Sequence, residues 1–224
     1  MQNGTLRFTL FGIPVTIEPL FWLIGLLFGY GFFGRSEGRD MIIFLLIWMV
    51  VWLGSILIHE MGHAFFFRKF GGVGTRIHLY GMGGYATVNG GRFSRNQHLI
   101  ITAAGPAVQI LAGLIALFLA REFVPADASL YLKRFLGTFG YISIFWAVLN
   151  LVPVLPLDGG RLVQHLTGSE MKAAKVGVVA GTLAAVAGFT LFNMLFAAVF
   201  FGFLAYQNYQ RTQNRAPGRG PFGF

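Results

Sequence analysis

Hydrophobic and polar positions change period several times along this chain, and each change marks an element. From residue 5 to 18 they alternate. Leu6, Phe8 and Leu10 oppose Arg7 and Thr9, and beyond Gly12 the residues Ile13, Val15 and Ile17 oppose Thr16 and Glu18. Period two with a glycine break predicts two short strands at a membrane surface. The polar beats then disappear. Residues 19–34, 41–70, 99–120 and 135–150 are apolar runs, each read as a span. Residues 176–209 are too long for one untilted span and suffice for two short ones, 176–191 and 193–208. Between the second and third runs, residues 76–88 read as a strand-like core broken by glycines, which mark bends or close backbone approach. The pattern therefore predicts an α-helical polytopic membrane protein: about six transmembrane helices and a small membrane-associated β element. Residues 1–209 form one integral-membrane domain, 161–175 a basic connector within it, and 210–224 a flexible, basic Gly/Pro-rich tail.

Composition sharpens this picture. Of 224 residues 55% are hydrophobic and only 11% charged, which excludes an ordinary soluble domain. A net charge of +9 would suit nucleic acid, but the bases punctuate apolar runs instead of forming one patch. Membrane-flanking charge accounts for them, and no nucleic-acid partner is expected. Their distribution favours six spans with both termini cytosolic, in a cell membrane. No cleavable signal peptide is evident ahead of the first run. Cysteine is absent, so disulfides and thiolate ligands are excluded and any metal must use histidine and carboxylate.

The second run carries the chemistry, in Ile58-His59-Glu60-Met61-Gly62-His63-Ala64. On a helix His59 and His63 share one face and converge on one metal ion, while Glu60 stands beside the first ligand, ready to take a proton from water. This is the H-E-x-x-H arrangement of zinc peptidases. Ionisable groups inside an apolar segment are costly and are functional by default. A catalytic zinc keeps a third protein ligand, for which Asp158, His78, His98, His165, Glu18 and Glu170 are the candidates. Asp158 is best placed. The fourth run breaks at Leu151-Val152-Pro153-Val154-Leu155-Pro156-Leu157, where two prolines three apart cannot continue a helix, and Gly159-Gly160 permits close approach. The alternative role for Asp158 is the N-cap of a helix over 159–166. Span direction puts His59, His63 and Asp158 in the cytosolic half of the bilayer.

His59-Glu60-Met61-Gly62-His63 together with Asn150-Leu151-Val152-Pro153-Val154-Leu155-Pro156-Leu157-Asp158-Gly159-Gly160 resembles the paired signatures of the site-2 protease family of intramembrane zinc metalloproteases. The resemblance runs from about Gly12 to about Leu166. It implies one zinc ion held by His59, His63 and Asp158, Glu60 as general base, and Asn150 close to the active centre. The Gly-rich Tyr80-Gly81-Met82-Gly83-Gly84-Tyr85 would lie in a strand element near the substrate. The implied partners are the lipid bilayer and a membrane protein cut in or near its transmembrane segment; a regulatory partner or a homo-oligomer is left open. One departure concerns the third core span. There the family commonly has Asn three residues after its Gly-Pro, and Gln109 occupies that place, which puts a local polar contact in doubt. No inserted peptide-binding domain fits between Gly71 and Leu99 and no regulatory domain after Tyr209, so a minimal member is expected. The rival reading is a non-proteolytic membrane protein, a metal transporter or scaffold with a vestigial site.

Overall fold

The computed structural model describes residues 4–33, 38–81, 83–125, 127, 129–191 and 193–213. Met82 and residues 214–224 of the expected tail lie outside these. The chain divides into two compact units, Met1–Val148 and Leu149–Phe224.

The first unit opens with the two short strands that the alternation predicts, β1 (Leu6–Leu10) and β2 (Ile13–Ile17). They pair antiparallel, with Leu10 opposite Ile13, so Phe11 and Gly12 alone make the turn. Both sit at positive φ, 49° and 75°, the geometry a two-residue hairpin needs to match strand twist. Helices α1 (Pro19–Phe33) and α2 (Gly38–Lys69) follow and form the crossover to β3 (Arg76–Tyr80). Strand β3 lies parallel to β2, and β4 (Gly83–Thr87) pairs antiparallel with β3. The sheet order is β1-β2-β3-β4, which leaves β4 on an outer edge. Ile13, Val15, Ile17, Ile77 and Leu79 point to one face, where they pack with Phe21, Trp48, Trp52, Ile56 and Ala64 of the first two helices. The outer helical surfaces remain apolar, as at Leu46 and Leu111, which suits lipid.

Helix α3 (Arg95–Glu122) starts four residues earlier than its apolar run because Ser94 caps it. The Ser94 hydroxyl accepts from the Gln97 amide, and the Gln97 side chain accepts from the Ser94 amide, a capping box. Helix α4 (Leu130–Asn150) then runs to the predicted break.

In the second unit the connector is more helical than expected. Asp158–Thr167 is a helix, α5, and Gly168 ends it in the left-handed conformation at φ 63°. Ser169 caps α6 (Glu170–Thr190) by accepting from the Lys172 amide. Helix α6 therefore begins six residues before the expected span. Helix α7 (Leu195–Gln213) follows. Among the described residues, α2, α3, α4 and α6 are long and apolar enough to cross a bilayer, and α1 is a shorter apolar helix. Helix α7 falls outside this set, since its second half carries Gln207, Asn208, Gln210 and Arg211.

Candidate metal centre

His59 and His63 lie one turn apart on α2, and both are buried, at 5% and 8% exposure. Each ring is fixed through its Nδ1 by a different kind of acceptor. His63 Nδ1 stands 2.7 Å from the Ile101 carbonyl oxygen. A carbonyl only accepts, so this nitrogen carries the proton. His59 Nδ1 stands 2.8 Å from Gln109 Oε1. The orientation of that amide follows from its other end, where Gln109 Nε2 donates to the Ser55 carbonyl at 3.2 Å and to Ser55 Oγ at 2.9 Å. Its oxygen therefore faces His59, whose Nδ1 must donate. With both neutral rings protonated at Nδ1, both Nε2 atoms are acceptors, and they face each other at 3.1 Å. Two lone pairs at that separation repel unless a proton or a metal ion lies between them. Two nitrogens each about 2.0–2.1 Å from a tetrahedral zinc stand roughly 3.3 Å apart, so the pair is spaced for one ion.

The polar network reaches across three helices. Ser55 on α2 and Ser143 on α4 are both wholly buried, and the Ser143 hydroxyl donates to Ser55 Oγ at 3.1 Å. Gln109 itself is 1% exposed. The local polar contact that the glutamine put in doubt is therefore made, by a side chain one methylene longer than asparagine. Ser55 precedes His59 by four residues and shares its face. An isolated serine or glutamine inside an apolar run was the available signal for this network.

The backbone of α3 makes room for the second ring. A methyl group on Gly105 would overlap the His63 imidazole. The next residue, Pro106, lacks the N–H that would bond the carbonyl of Thr102, so the helix is weakened beside the Ile101 carbonyl that holds His63.

Glu60 is 4% exposed and packs against the edge strand. A Cβ at Gly84 would stand 2.7 Å from Glu60 Cγ and 2.9 Å from Oε1. The unit thus brings β4 directly against the carboxylate that follows the first histidine. Tyr85 stacks on His78 of β3 at 5.2 Å and meets Tyr80 edge-on at 5.6 Å. Burial, aided by Arg76, holds the His78 pKa below its ordinary value, while burial and then Glu18 raise that of Tyr85. Gly81 follows β3, and Gly83, the first residue of β4, stands at φ 129°. His98, another early ligand candidate, lies edge-on to Phe93 at 5.5 Å.

In the second unit Asn150 is the last residue of α4 and Asp158 the first of α5. The N-cap position belongs to Leu157, which makes no side-chain cap bond, so Asp158 is not the capping residue. His165 and Glu170 lie at the end of α5 and the start of α6.

Comparison with known proteins supplies the context. The profile of peptidase family M50 matches residues 122–188, a stretch that includes Asn150 and Asp158. A zinc metalloprotease of Methanocaldococcus jannaschii is 26% identical over 184 residues, 80% of this chain and 51% of that protein. A Synechocystis protein, provisionally named a zinc metalloprotease, is 31% identical over 229 aligned positions, 93% of this chain and 59% of its own length. The chain thus spans about half to three fifths of the length of these curated relatives. The solved structure of a site-2 protease from Methanocaldococcus jannaschii shares the fold. Its TM-score is 0.60 at 23% identity, over 91% of this chain and 94% of that one.

Proposed function

We propose that this chain is a member of peptidase family M50, the site-2 proteases, and that it is an intramembrane zinc metalloprotease. It hydrolyses a peptide bond in or near a transmembrane segment of a membrane-protein substrate. The observation that carries this reading is the pair of Nε2 acceptors facing each other at 3.1 Å in an apolar helix. A shared metal ion or proton makes such an arrangement favourable, and imidazole nitrogen suits zinc.

His59, His63 and Asp158 would hold one zinc ion per chain. Support for Asp158 comes from its place after an unwound, proline-interrupted segment and from the capping role falling to Leu157. When bound, zinc supplies Lewis acidity that lowers the pKa of water and polarises the scissile carbonyl. Glu60 accepts the proton of the attacking water and delivers it to the leaving amine, a contribution of about 10²–10⁴-fold in rate. Asn150 hydrogen-bonds the substrate backbone or the developing oxyanion.

A helical substrate hides its amides in its own hydrogen bonds and must unwind before attack. Strand β4 is an outer strand with Glu60 behind Gly84. An unwound segment added along Tyr80–Tyr85 as a further strand would lie beside the general base. The reading puts the protein in a cell membrane, both termini in the cytosol and the site in the cytosolic half of the bilayer.

The test is co-expression with candidate single-span membrane proteins, comparing wild type with Glu60→Gln. Wild type releases membrane-derived fragments. The variant loses turnover by at least about 10²-fold and still binds zinc. Turnover surviving in Glu60→Gln removes the general base, and wild-type protein without zinc removes the metal reading.

A further inference from the structure

Within the second unit, one buried side chain reaches from α7 to the segment that carries Asp158. Asn208 is wholly buried in the polar half of α7. Its Nδ2 donates to the Leu155 carbonyl at 2.6 Å and to the Leu204 carbonyl at 2.8 Å. The second bond is the local i−4 contact of a polar residue on a helix. The first is the informative one, because it crosses 53 positions to a backbone group three residues before Asp158.

Leu155 lies where the chain has left α4 and not yet entered α5, so the regular helical ladder supplies no donor for its carbonyl. Around it Val154 packs on Phe201 and Leu204, two residues of α7. The Asn208 Oδ1 accepts no hydrogen bond among the described residues. It instead lies against the bare Cα of Gly177 on α6, where a methyl group would overlap it. A buried amide that leaves one end unsatisfied is destabilising. Plain packing of α6 on α7 would be served better by an apolar residue. What the asparagine alone supplies is the bond to Leu155.

We infer that Asn208 is a positioning residue for Asp158: by clamping the Leu155 carbonyl it sets where the unwound segment delivers that carboxylate. This rests on the reading of Asp158 as a metal ligand. Helix α7 thereby serves the metal centre through the backbone of the aspartate segment, and Gly177 is small so that the clamp fits.

The test is zinc affinity of the full-length purified protein, by competition with a chelator, alongside melting of the metal-free form. Asn208→Ala weakens zinc binding about tenfold, the lower end of what loss of a supporting contact costs a metal site. Should that variant fail to fold, Asn208→Ser keeps a hydroxyl able to bond the Leu204 carbonyl but too short for Leu155, and it gives the same loss. In an Asp158→Ala background the Asn208 substitution has no further effect on zinc, because its route to the metal is gone. Wild-type zinc affinity in Asn208→Ser, or a loss that adds in full to that of Asp158→Ala, overturns the clamp. The protease reading fails differently. There Asp158→Ala itself binds zinc as wild type does, and the clamp falls with it.

Discussion

The two halves of the proposed site solve one placement problem in opposite ways. Helix α2 is regular throughout Gly38–Lys69, so the i, i+4 spacing of His59 and His63 alone aims both rings to one side. What remains is ring orientation, and each ring needs one acceptor for its Nδ1. The segment 151–157 has no such frame. It turns on a few short-range bonds, Val152 to Leu149, Val154 to Val152 and Leu157 to Val154, and on the Asn208 amide. Regular structure needs only orientation locks; irregular structure needs position locks, drawn from further along the chain. The histidine half should therefore fail by misaimed rings and the aspartate half by a displaced backbone.

The largest effect expected on the histidine half is from Gly105→Ala. The added methyl enters the His63 ring volume, so a ligand itself moves. Zinc affinity should fall by about 100-fold or more, beyond the usual cost of a lost supporting contact. Isothermal titration against a buffered zinc series measures it. Wild-type affinity in this variant would mean that α3 yields and that backbone approach does not set the ring.

A smaller loss is expected from Gln109→Leu, which removes the His59 acceptor and leaves the metal ligands in place. Support of this kind is worth about 10–100-fold in metal affinity. The metal-free protein also loses about 1–3 kcal/mol, because the buried His59 and Ser55 groups lose their partner. Both are readable in one set of melts with and without zinc.

Most of the histidine half was legible in the sequence, and the reason is physical. Spacing on a helix fixes direction, so His59, Glu60 and His63 declared a face as soon as the apolar run declared a helix. The N-terminal hairpin was legible for the same reason, since period two fixes which side chains share a face. The locks were not. Nothing local links Gln109 to His59 or Asn208 to Leu155, and a lone amide in an apolar run looks the same whether it orients a ligand or only finds a nearby carbonyl. Helix α5 entered the sequence reading only through the alternative role of Asp158, with 161–175 read as a connector, because Arg161, Gln164 and His165 dilute its apolar pattern, while its end is set by Gly168. The span count was least secure where Asn208 sits, because the residue that clamps Leu155 also lowers the hydropathy of α7.

The smallest effect expected is from Gly84→Ala, and it separates the general base from both ligand halves. Glu60 packs against the bare Cα of Gly84 on β4. A methyl there would stand 2.7 Å from Glu60 Cγ and 2.8 Å from Leu79 Cδ2. The leucine is wholly buried in the sheet core and yields less readily than the carboxylate side chain. Glu60 therefore leaves its rotamer, at a cost of about 0.5–1.5 kcal/mol. If that cost is spent in reaching the transition state, kcat falls by roughly two- to thirteenfold, with zinc affinity unchanged. Single-turnover cleavage of a labelled transmembrane substrate reads the rate, and chelator competition reads the metal. A loss of zinc would show that strand and ligands move as one body. A rise in KM at constant kcat would assign Gly84 to substrate pairing along β4 instead of to the placement of Glu60.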